Sequence, residues 1–101
     1  MDKLLRFHPS IPSELNAAIS QYSTYSLNAA NRLRSAFSDV FENIDSNPEM
    51  YAVIYDNVRI VRTRKFPYLV HYRILAETPQ EMAIFHCSTN PDQWRKTAAE
   101  R

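Results

Sequence analysis

Apolar positions recur with a helical period in the first half of the chain and alternate in the second. Leu15, Ala18, Ile19 and Tyr22 follow at i, i+3, i+4 and i+7, one stripe of an amphipathic helix. Ser10 is placed to cap it, Pro12 suits its first turn, and Glu14 suits the positive end of its dipole. Ala30, Leu33, Phe37, Val40, Phe41 and Ile44 form a second stripe. Ser26 should cap that helix, expected over 27–45. Asn47-Pro48 should end it, because a residue before proline avoids the helical region. The link near 23–26 is short, so the two helices should form an antiparallel hairpin.

Ahead of the helices, KLLRFH (3–8) reads as a first strand with Leu5 and Phe7 on one face. After Pro48 the period drops to about 2. Residues 51–55 read as a short extended piece, and 58–64, 67–75 and 81–87 as strands. The turns at 65–66 and 77–80 are short enough for an antiparallel meander. The segment from Pro91 should form a final helical turn holding Trp94. The order β-αα-βββ predicts one α+β domain over 1–101, with the helical hairpin on one face of the sheet.

On the strand expected at 67–75, Tyr68, Val70, Tyr72 and Ile74 share one face, and Leu69, His71, Arg73 and Leu75 share the other. The first should meet the helices. The second is partly polar and should be open to water.

Composition narrows the chemistry. Glycine is absent from all 101 residues, which excludes phosphate-cradling loops and dinucleotide fingerprints. Tight turns must use Asp56-Asn57, Asn47-Pro48 and Thr78-Pro79, since Asn and Asp tolerate positive φ better than other side chains. Cys87 is the single cysteine, so no internal disulfide forms and nothing points to an oxidising compartment. Beside His86 it resembles a nucleophile pair, but adjacent strand residues point to opposite faces, and a packed, inert thiol is expected. The opening MDKLLRFHPS holds no apolar run long enough for a signal peptide. No stretch reaches the roughly 20 apolar residues of a membrane helix. A cytoplasmic protein with no membrane role is expected.

The net charge of +1 hides a division. Phe7 to Asp56 carries six acids and two arginines, whereas Asn57 to Ile74 carries four arginines, one lysine and no acid. RTRKFPYLVHYRI (62–74) is the densest part. Its aromatics read as core and its basic residues as a positive face or as solvated edge charge that discourages aggregation. His8, His71 and His86 lack metal-ligand spacing on any shared element, so no metal is expected.

Six pieces in order resemble the RelE/ParE superfamily of type II toxins, closest to its ParE-like, plasmid-stabilisation branch. They are RFHP (6–9), E-L (14–15), N-P-E (47–49), V-R (58–59), R-x-F-P-Y-x-V-x-Y (64–72) and H-x3-N-P-x2-W (86–94). The resemblance implies a twisted antiparallel sheet under a helical hairpin, and a cognate antitoxin that neutralises the protein in a hetero-oligomer. It implies one of two targets. ParE-like members poison DNA gyrase, and RelE-like members cut messenger RNA on the ribosome. An inert antitoxin-binding relative is a third reading.

RNA cleavage would need a base, an acid and fixed positive charge at the phosphate. Arg59, Arg62, Arg73 and His86 are the candidates. For target or antitoxin binding, the candidates are Arg59, Arg62, Arg64, Lys65, His71, Arg73, Trp94 and Arg95. No cofactor is implied. HCSTN (86–90) lacks the basic residue that nucleolytic relatives usually carry after the last strand, which weakens the nuclease reading, and the resemblance of F-P-Y (66–68) to the ParE-like side makes gyrase poisoning the favoured expectation.

Overall fold

A computed structural model describes residues 5–101. Its elements are β1 (Arg6–Phe7), α1 (Ile11–Ser23), α2 (Leu27–Ser46), β2 (Val53–Tyr55), β3 (Val58–Arg62), β4 (Tyr68–Leu75), β5 (Thr78–His86) and α3 (Pro91–Glu100). The sheet order is β1-β5-β4-β3-β2. β3 to β5 form the expected antiparallel meander, β2 extends it by a fourth strand, and β1 adds to β5 in parallel, which makes the sheet mixed. The long helical hairpin sets this direction, because it returns the chain to the far side of the sheet. Residues 3 and 4 of the expected first strand lie outside the described residues.

The α1–α2 hairpin packs its stripe on Val61, Tyr68, Val70, Tyr72 and Ile84. Leu33, Phe37 and Ile44 are fully buried there. Burial of each such side chain contributes about 1.5–3 kcal/mol. Ser26 caps α2 by accepting from the Ala29 N–H at 3.2 Å. Ser10 does not cap α1. Its φ and ψ are already helical, and its N–H instead donates to His8 Nδ1 at 3.1 Å.

Alternation placed Tyr68, Val70, Tyr72 and Ile74 correctly on the hairpin side. The opposite face is not open. Tyr55, Val58, Met82 and Ala83 form a second core there, with Ile60, Phe85, Trp94 and Ala98 against it. The cover is α3, a ten-residue helix where a single turn was expected. Asn90 caps it by accepting from the Asp92 N–H at 2.9 Å.

Strand bounds moved for turn chemistry. Ala76 and Glu77 take left-handed φ of 49° and 66°, so the hairpin closes in two residues. Thr78 and Pro79 become strand rather than turn. β3 ends at Arg62 because Thr63 folds inward: its hydroxyl donates to the carbonyls of Phe66 (3.1 Å) and Tyr68 (3.2 Å).

Candidate functional site

The basic segment does not form one surface. Cross-strand pairing sets each residue's face. Arg59 opposes Tyr72 and lies on the hairpin side, while Arg62 opposes Leu69 at the end of β3 and there reaches the groove beside α2. Arg59 is an anchor. Its guanidinium donates to the carbonyls of Glu49 and Tyr51, and the Tyr72 hydroxyl donates to that of Pro48. Together they tie the 48–51 loop to the sheet. Burial pushes the Tyr72 phenol up to about 12, so it stays a donor.

Arg64 and Lys65 project from the β3–β4 turn. The inward Thr63 bonds hold this turn, as does Phe66, set edge-on to Tyr22 at 5.4 Å. Lys65 takes φ 67° without the freedom of glycine, which costs about 1–2 kcal/mol. Across from the turn stands Arg32 on α2. A groove of about 550 Å³ runs between them, with Asp39 on its wall. A second groove of about 310 Å³ continues it past Arg62, Tyr51 and Asn43. Arg32, Arg62, Arg64 and Lys65 make no hydrogen bond or ion pair among the described residues. The result is a cationic rim with its donors free. Sequence reading missed Arg32, because only the tertiary fold brings α2 beside the turn.

His71 was expected on a wet face and is completely buried. Its Nδ1 shares a hydrogen bond with the Tyr55 hydroxyl at 3.0 Å. Its ring meets Trp94 at 5.0 Å and Phe85 at 4.9 Å, both edge-on. Burial lowers its pKa to about 4, so it is neutral near pH 7. In this fold His71 cannot touch a partner. Trp94 covers this cluster, and the Arg95 guanidinium lies 5.9 Å from the centre of the Tyr55 ring. Arg73 lies on the same face, half-buried.

His86 is exposed at the end of β5. Its Nδ1 accepts from the Ser88 N–H at 3.1 Å and lies 2.8 Å from Ser88 Oγ. These contacts shape the turn into α3. His86 opposes Tyr68 and Arg59 opposes Tyr72, four residues apart along β4 and hence about 13 Å. Arg59 and His86, two of the four residues proposed for RNA cleavage, therefore do not sit side by side on the sheet. Among the described residues, no group of three or more His, Cys, Asp or Glu is placed to hold a metal ion.

This fold and rim can be compared with known proteins. A family model described as ParE toxin of type II toxin-antitoxin system, parDE, matches residues 5–91. The chain belongs to this family. It is also 30% identical over 93 residues to Toxin ParE2 of Mycobacterium tuberculosis, in strains CDC 1551 / Oshkosh and ATCC 25618 / H37Rv. That alignment covers 91% of this chain and 89% of the relative. The protein is thus a type II toxin of the ParE family, and its partner is a cognate antitoxin. The family match spans every strand and both helices of the hairpin and stops at Pro91, before Trp94, Arg95 and Arg101. No described helix is long and apolar enough to cross a membrane.

Sequence reading also missed a carboxylate. Glu81 is buried, with neither carboxylate oxygen hydrogen-bonded among the described residues. Strict alternation would set it with Ala83, facing α3. A bulge at Met82 shifts the register, so Glu81 opposes Tyr72 and faces α1. Desolvation first, and the charge of Glu14 second, push its carboxyl up to about 9.

Proposed function

We propose that this toxin acts in the cytoplasm by poisoning DNA gyrase, with the rim of Arg32, Arg62, Arg64 and Lys65 as its main contact surface. The carrying observation is a rim of four cations that make no hydrogen bond or ion pair among the described residues, beside grooves lined by carboxylates but by no histidine. A poison needs a surface that holds its target, whereas RNA cleavage needs converging proton-transfer groups. Arg59 is committed to loop carbonyls and His71 to Tyr55, which leaves few groups for chemistry. Arginine forks and a lysine on one rim suit acidic protein segments or phosphates at long range.

The test is a gyrase cleavage assay with purified toxin, supercoiled DNA and ATP, with and without antitoxin. Protein-linked linear DNA should accumulate with toxin alone and vanish when antitoxin is added. Growth arrest without trapped DNA would overturn the gyrase target and favour ribosome-dependent cleavage of messenger RNA. Arg59, Arg62, Arg73 and His86 would then be replaced in turn.

A further inference from the structure

β5 is nine residues long, and β1 pairs with only Gln80 and Glu81. The last backbone bond on that side runs from the His8 N–H to the Glu81 carbonyl at 3.0 Å. The chain then turns away into α1. The next outward groups on β5 are the Met82 carbonyl and the Ile84 N–H. In a parallel ladder, one residue of an added strand satisfies such a pair: its N–H donates to the carbonyl of residue i, and its carbonyl accepts from the N–H of i+2.

Two side chains do this here. Arg101 Nη1 donates to the Met82 carbonyl at 2.8 Å, and Glu14 Oε1 accepts from the Ile84 N–H at 3.0 Å. Arg101 Nη2 and Glu14 Oε2 are joined at 2.7 Å. The ion pair supplies one donor and one acceptor in the places of a single strand residue. Both side chains remain partly exposed, at 19% and 23%. They are therefore a removable stand-in on an edge that would otherwise recruit a strand. A groove of about 450 Å³ lies along this edge, lined by Glu14, Gln21, Ile84, His86 and Ser88.

The charges say what fits. Without Arg101, Glu14 would lose its ion-pair partner while standing near buried Glu81. An incoming strand must supply one. We propose that the edge of β5 from Met82 to Ile84 is a docking slot for an extended antitoxin segment, which runs parallel to β5, displaces Arg101 and sets its own arginine or lysine against Glu14. This rests on the antitoxin being the partner, and it names where and in which direction that partner pairs.

The test follows amide exchange in the full chain, free and bound to the antitoxin encoded by the adjoining gene. In the free Glu14→Ala/Arg101→Ala variant, the Ile84 N–H should exchange roughly tenfold or more faster than in wild type, because its acceptor is gone. In the complex its protection should return, supplied by the antitoxin backbone. Arg101→Ala alone keeps the Glu14 bond and serves if the double variant does not fold. It should bind antitoxin roughly tenfold more tightly, since no latch must be displaced. A complex in which Ile84 still exchanges fast, or an Arg101→Ala affinity equal to wild type, overturns the slot and leaves the partner intact. No complex with the wild-type toxin overturns the partner and the slot together.

Discussion

The Tyr55 hydroxyl and His71 Nδ1, 3.0 Å apart, lock β2 to the middle of β4 beneath α3. Burial keeps this histidine neutral, with its pKa lowered from 6.5 to about 4. Below pH 6.5 the unfolded chain takes up a proton that the folded chain refuses. Stability from this group is therefore full above about 6.5 and lost as pH falls to about 4, by about 3 kcal/mol in all. Urea unfolding of wild type and His71→Phe at pH 7.5 and 4.5 checks this. The wild type should lose more stability than the variant over that interval.

Glu81 works in the opposite direction. Its folded pKa is raised from 4.5 to about 9, so the fold holds a proton that the unfolded chain releases. Its contribution is full below about pH 4.5 and is lost as pH rises through 9. Glu81→Gln keeps the shape without the titration. It should stabilise the protein by about 1–3 kcal/mol at pH 8 and change little at pH 4.5. Thermal unfolding at the two values measures this. Equal effects at both would contradict a buried, protonated carboxyl.

The β4–β5 turn holds Ala76 and Glu77 at φ 49° and 66°. Two successive left-handed residues favour Asn-Gly in a two-residue hairpin. The double replacement Ala76→Asn/Glu77→Gly should raise stability by about 1 kcal/mol, net of glycine's greater freedom when unfolded. The denaturation midpoint should rise with an unchanged slope.

Arg59 and the rim should separate by readout. Arg59→Ala removes bonds to two loop carbonyls and should cost about 2 kcal/mol of stability. Arg62→Ala, Arg64→Ala and Lys65→Ala should each change stability by under about 0.5 kcal/mol. Together they should weaken DNA trapping and reduce its dependence on salt. Unfolding curves measured beside the gyrase assay distinguish the two classes.

Local rules read much of this fold and less of its site. The helix stripes and the alternation of Tyr68, Val70 and Tyr72 report burial against one partner, and that partner is adjacent in the chain order. His71 was misplaced because its cover is α3, and alternation shows which residues share a face but not what will cover it. Glu81 was invisible because one extra residue at Met82 inverts the faces of β5. Arg32 joins the rim only through α2 packing. Ser10 failed as a cap because its backbone is already helical, whereas a capping residue is extended.

Ile84 and Glu14 are 70 residues apart, and Arg6 pairs with Gln80. Contacts of such span form late, because the chain between them must be ordered first. During synthesis, α1 and α2 emerge from the ribosome well before the strands that cover them. Leu33, Phe37 and Ile44 stay uncovered until β4 and β5 follow. The Met82 carbonyl waits longer, for Arg101, 19 residues further along the chain. The apolar face of the hairpin is therefore left bare for as long as the strands that cover it are still being made.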